Sequence, residues 1–278
     1  MESGNSRKKT VIVFVIALVV CIVAAIYVAY TLYTRFQEDK EYDNLKEAVT
    51  IEEIQSAEFT GQREGEAPDL PEDILVDGQT NPIDFERLQT YNDELVAWIK
   101  VPGTNIDYPV ARHEGEDQSY YLNYNMYREP AYAGCIYMEN VNAADFSDNN
   151  TVLYGHNMKT KSMFGNLHKF EEKEFFDENQ YIFVYTPGHA LTYQIFAAYV
   201  TDNTKLTKAY DFSDQDVYER YLKNVLDVRS MSANLREGVE VTGSDRIITL
   251  STCIYGQTSK RYLVQGVLMK DVETGKED

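Results

Sequence analysis

Three side chains draw attention for the chemistry they could do together: a thiol, an imidazole and a guanidinium, each beside an apolar run that reads as a strand. Cys253 closes the run RIITLST, and one short polar turn later Arg261 opens RYLVQGVLM. A thiol at a strand end is held by the sheet yet open to solvent on one side, which suits a nucleophile. An arginine across the hairpin can approach the same pocket, and its permanently charged planar fork suits a carbonyl oxygen that is gaining charge. His156 directly follows TVLYG, again at the end of a strand, and an imidazole titrates near neutrality, so it can take or give a proton. Spacing alone leaves Cys253 between a nucleophile and a small core hydrophobe, since free cysteines often pack in interiors. His113, His168 and His189 have no such pairing and read as surface or core residues; Cys135, inside GCIYME, reads as packing. Four histidines without ligand spacing make no recognisable metal site, and no cofactor is expected.

These residues need a rigid frame, and the sequence from Glu94 onward supplies one. Short β-branched and aromatic runs recur between turn signals at 95–101, 105–111, 134–139, 151–155, 181–185, 190–200, 246–252 and 261–269. Many short strands with few long helical patterns between them predict a mostly β protein, an eight-stranded closed or nearly closed barrel. Two helical insertions interrupt it, at about 162–175 and 213–228. In the second, Ser213 followed by Asp216 predicts the helix start, and Val217, Tyr221 and Val225 repeat on one face, so the helix is expected to pack across the barrel. Upstream, apolar residues at helical spacing (Leu45, Val49, Ile51, Ile54) predict a helix over 36–59. The Gly-, Pro- and acid-rich stretch 60–82 predicts a linker, with the compact domain beginning near Ile83.

Residues 11–30 form an unbroken apolar run, about 30 Å long as a helix, which matches the hydrocarbon core of a bilayer. The run continues into the bulky Tyr30, Leu32 and Tyr33 instead of a small-residue cleavage site, so an uncleaved anchor over 11–33 is expected. Arg7, Lys8 and Lys9 precede it, while Glu38, Asp39 and Glu41 follow. The tail 1–10 is then cytoplasmic and the remainder extracellular. A net charge of −19 argues against a protein that neutralises phosphates, so nucleic acid is not an expected partner. Only Cys135 and Cys253 lie beyond the span, so the outer domain has no disulfide framework although it faces an oxidising side.

LYGHNM about one hundred residues before TLSTC, with an arginine eight residues after that cysteine, resembles the sortase family, class B most closely. WIKVPGTNIDYPV resembles the opening strands of that class, DQSYYL its first loop and helix, and AGCIYME its next strand, so the resemblance covers roughly residues 83–272 and leaves 273–278 as a tail. It implies a sortase-type barrel after an N-terminal helix and a single anchor helix, with Cys253 as nucleophile, His156 as the histidine and Arg261 as the arginine. Leu122, Gln118, Asn157 (through its backbone amide), Ser251 and Thr252 fall on the expected substrate groove. Gln118 stands where an asparagine is usual, and Ile254 where an acid often follows the cysteine. The implied reaction cleaves a C-terminal LPXTG- or NPXTG-like sorting motif of a secreted protein after its threonine, through a thioester. An amine of a peptidoglycan precursor then takes the acyl group; a pilin lysine is the alternative acceptor. A non-catalytic surface binding protein is a more distant reading.

Overall fold

The computed structural model describes residues 3–51, 81–230 and 233–274. The chain divides into two compact units, 1–44 and 45–278. With neither glycine nor proline between Arg7 and Val49, one helix, α1 (Ser3–Val49), runs unbroken through both of the upstream helices predicted from sequence. Its apolar side chains from Val11 to Phe36 are exposed, and it is long and apolar enough to cross a membrane. The helix ends at Val49, earlier than the sequence suggested. Thr50 instead forms a bridge with Ile83, and residues 52–59 of the expected helix lie outside the described residues. Leu45 and Val49, in its last turn, are buried in the core of the second unit.

Nine strands build the second unit: β1 (Leu95–Val101), β2 (Ile106–Arg112), β3 (Ile136–Met138), β4 (Asn150–Tyr154), β5 (Tyr181–Thr186), β6 (His189–Asp202), β7 (Asn234–Leu235), β8 (Ile247–Ile254) and β9 (Gln257–Glu273). All but β7 close a ring in the order β5-β1-β2-β3-β4-β8-β9-β6, with β6 returning to β5; the two-residue β7 pairs with the far half of β6. This is the mixed eight-stranded barrel that the eight apolar runs foretold. Most strand positions are buried on both faces, which is why the strands read as near-continuous apolar runs and not as strict alternations. Trp98, Phe183, Tyr193, Phe196 and Tyr262 are among the large side chains fully inside.

Two neighbouring pairs are parallel, β2 with β3 and β4 with β8. Parallel strands cannot be joined by a tight turn, so long connections must cross over at these places. The connection 113–135 serves the first pair and the whole stretch 155–246 the second.

The predicted insertion at 162–175 is a 3₁₀ segment (Phe164–Glu171) followed by a short helix (Lys173–Glu178). The second insertion holds a helix over Gln215–Leu226, capped by the Asp214 carboxylate on the Val217 amide; Ser213, predicted as the cap, instead donates to Asp211. Tyr218, Tyr221, Leu222 and Val225 form its buried face, with Val217 at the margin, and they pack on Phe196, Tyr199, Ile247 and Leu263. Beneath them, the Gln265 amide donates to Tyr221 and Thr249, and Thr249 donates to Asn150. A buried polar chain thus fixes the helix to the strands that carry the site.

Candidate active site

The two sequence motifs meet because β4 and β8 run side by side in parallel. Tyr154 lies opposite Ser251, so both strands end at one rim of the barrel, His156 just past one end and Cys253 at the other. The Gly155 amide donates to the Ser251 carbonyl (3.3 Å), and the buried Thr252 hydroxyl donates to the Gly155 carbonyl (2.8 Å). Gly155 is required by close approach: a Cβ there would lie 2.5 Å from Ile136 Cδ1 and 2.8 Å from the Phe164 ring. A side chain at 155 would force Ile136 or Phe164 to move.

Pairing of β8 with β9 sets Cys253 opposite Arg261. Beyond that pair the register slips, so that Ile254 meets Gln257 around a tight turn whose Gly256 has φ +75°, a conformation that favours glycine. Ser251 and Thr252 are buried and Cys253 is exposed, as the strand emerges from the barrel at its end. Leu122, Tyr137, Tyr154, His156, Cys253 and Arg261 all line one cleft of about 250 Å³.

Each group in the cleft has a defined setting. His156 Nε2 lies 2.8 Å from the Leu122 carbonyl, which can only accept, so this nitrogen carries a proton; in a neutral ring Nδ1 is then the free base. The ring stacks on Tyr132 (centroids 6.2 Å apart, planes 7° apart). Arg261 Nη1 donates to the carbonyls of Lys260 (2.9 Å) and Thr258 (3.4 Å), while Nε and Nη2 have no protein acceptor among the described residues. Burial pushes the Tyr137 and Tyr154 phenols well above the usual tyrosine range, so both stay neutral hydroxyls in the cleft wall. The Glu139 carboxylate, almost fully buried, is met by Lys205 Nζ on one oxygen and by the Thr207 hydroxyl on the other. That contact holds the 203–207 connection against the end of β3.

The residues predicted for the groove separate on inspection. Leu122, Ser251 and Thr252 line the cleft, although the Thr252 hydroxyl is already engaged with Gly155. Gln118 donates to the Gly115 carbonyl and accepts from the Asn140 amide (both 2.6 Å), tying its own connection to the segment that follows β3; it is not among the cleft-lining residues. The Asn157 side chain points the other way, its amide 2.9 Å from the Cys253 carbonyl. His168, read from sequence as an ordinary surface or core residue, lies 3.0 Å from that same carbonyl. Neither His168 nor the Glu139–Lys205–Thr207 contact carries a spacing signal, because each depends on where a long crossover folds back. Tyr132 could have been noticed only as one of many tyrosines.

A family model described as a sortase domain matches residues 99–269. The chain is 37% identical over 188 residues to sortase B of Listeria monocytogenes (66% of this chain, 72% of that protein). It is 32% identical over 188 residues to sortase B of Staphylococcus aureus (67% and 75%). Among solved structures it is similar to a Staphylococcus aureus sortase B–substrate complex, with a TM-score of 0.66 and 27% identity, covering 86% of this chain and 99% of that one.

Proposed function

The chain belongs to the sortase family as a class B cysteine transpeptidase, and from that premise we propose that Cys253, His156 and Arg261 join exported proteins bearing an LPXTG- or NPXTG-like sorting motif to a cell-wall amine. The observation that carries the assignment of roles is the register: Cys253 opposite Arg261 on paired strands, with His156 at the end of the parallel neighbour, all facing one cleft.

In this reading the Cys253 thiolate attacks the carbonyl that follows the motif threonine. Charge moves to the carbonyl oxygen, where Nε and Nη2 of Arg261 donate to it. The tetrahedral adduct collapses as the His156 imidazolium gives its proton to the departing amine, leaving a thioester on Sγ and a neutral ring. An incoming amine attacks the thioester, His156 takes up the proton it sheds, and Cys253 leaves as thiolate with a new amide bond formed. The hydrogen bond of Nε2 to the Leu122 carbonyl supports Nδ1 as the nitrogen that carries these proton transfers. The acceptor is the amine of a peptidoglycan precursor. The catalytic barrel spans 83–272, and 34–82 joins it to the anchor at 11–33, with 1–10 cytoplasmic and the barrel outside the cell.

Incubating the full chain with a panel of LPXTG- and NPXTG-like peptides and weighing the protein tests this directly. A mass increment on Cys253 matching the peptide up to its threonine is expected, and none in Cys253→Ala. Product formed by Cys253→Ala would overturn the nucleophile. Transfer to a lysine-bearing pilin-type peptide in preference to a peptidoglycan-type amine would overturn the acceptor.

A further inference from the structure

The carbonyl oxygens of Ser251 and Cys253, two residues apart on β8, point to the same edge, the one β4 occupies. Ser251 is served by the Gly155 amide (3.3 Å). By Cys253 strand β4 has ended and its chain has turned away, so no backbone donor of β4 reaches that carbonyl. Two side chains take its place: Asn157 Nδ2 at 2.9 Å and His168 Nε2 at 3.0 Å. They are also 3.0 Å from each other, and His168 Nδ1 lies 2.6 Å from Glu171 Oε1. The His168 ring stacks on Tyr262 of β9, 5.0 Å between centroids.

We propose that His168 is a positioning residue for the nucleophile: with Asn157 it forms a side-chain rung that continues the β4–β8 ladder by one step and fixes the main chain of Cys253. The proposal rests on Cys253 being the reactive thiol. Glu171 can only accept, so Nδ1 of His168 is the protonated nitrogen in a neutral ring, and Nε2 then accepts from Asn157 while Asn157 also holds the Cys253 carbonyl. When the ring is charged, Nε2 itself donates to that carbonyl. The carbonyl is bonded in either form of the ring. Facing the ring are the Glu171 carboxylate from its own segment, the Tyr262 phenol ring from β9 and the Cys253 main-chain carbonyl from β8.

The chain has only three cysteines, so the full chain in detergent, grown with carbonyl-¹³C cysteine, gives three carbonyl signals; the one lost in Cys253→Ala belongs to Cys253. In the native protein this signal is expected at its hydrogen-bonded position. In Asn157→Ala the carbonyl loses the donor that a neutral His168 ring leaves in place, so the signal should move toward the unbonded position. His168→Ala should lower kcat for peptide transfer about tenfold with KM little changed, the loss of one well-placed hydrogen bond. His168→Gln, whose amide can donate to the same carbonyl, should recover most of it. The proposal is overturned if His168→Ala keeps both the native Cys253 signal and the native kcat, or if Asn157→Ala keeps the native Cys253 signal. Should His168→Ala fail to fold, Asn157→Ala and His168→Gln decide alone. The carbonyl signal uses no peptide, so failure of every sorting peptide would count against the proposed substrate and leave the rung independently measurable.

Discussion

The two walls of the cleft are held by different forces. One is made of strand ends: Cys253, Arg261 and the His156 turn are set by backbone ladders on β4, β8 and β9, reinforced by the buried Thr252–Gly155 bond. The other is made of crossovers, 113–135 and 203–207, fixed at a few polar anchors. Glu139 holds Lys205 and Thr207. Glu94, at the start of β1, gathers His113, the Tyr121 hydroxyl (2.6 Å) and Arg128 (Nε at 3.5 Å), and Tyr121 also accepts from Asn92. Ladders distribute their hold over many bonds, so the reacting groups tolerate little variation in position. An anchor concentrates its hold in one side chain, so the wall it supports can be retuned by single substitutions. Under the proposed function, chemistry then belongs to the first wall and choice of substrate to the second.

The largest expected effect tests the ladder wall. Arg261→Lys retains the charge but loses the planar fork, and should lower kcat by roughly 10² to 10³ with folding unchanged by circular dichroism. A kcat within a few-fold of native would remove Arg261 from the role of stabilising the oxyanion. On the crossover wall, Glu139→Gln keeps an acceptor for Thr207 but leaves Lys205 without its counter-charge. Since Lys205 is partly exposed, the cost is on the order of 1 kcal/mol. It should appear as a rise in KM of tenfold or less, at nearly constant kcat, with an altered ranking of peptide motifs. A fall in kcat alone would break the division between the two walls.

The smallest effect is on pH-dependent stability. Burial acts to raise the Glu94 carboxyl, but hydrogen bonds from Tyr121 and His113 and the charges of His113 and Arg128 outweigh it and hold the group below its ordinary 4.5. A carboxyl lowered in the folded state contributes stability above 4.5 that is lost as pH falls through its folded value. Glu94→Gln should therefore be less stable than native by about 1–3 kcal/mol at neutral pH, and the gap should close in acid. Denaturant melts at several pH values would show this; a gap independent of pH would mean that Glu94 acts by packing and not by charge.

What the sequence disclosed follows the same division. The eight barrel strands and the two motif ends were legible because a strand buried on both faces writes itself as a local apolar run. The cleft's other wall was not, because Glu139, Lys205 and Thr207 come from β3 and a connection more than sixty residues later, and nothing local marks them as partners. His168 was passed over for the same reason: its meaning lies in a carbonyl 85 residues away. The cap at Asp214 instead of Ser213 is a failure of another kind, two adjacent residues of equal capping chemistry, separated only by which of them the Asp211 turn had already engaged.

Thr252 and Gly155, whose bond joins the two motifs, are 97 residues apart, and β9 follows β8 almost to the end of the chain. The site is therefore a late product of folding. Parallel pairing of β4 with β8 must wait until the whole crossover between them has closed, the kind of non-local step that slows barrel folding. On the proposed roles, a chain still lacking its last two strands would have the histidine but neither the nucleophile nor the oxyanion donor. Such a nascent molecule could not be acylated by the exported proteins it meets, and reactivity would arrive only with closure of the barrel.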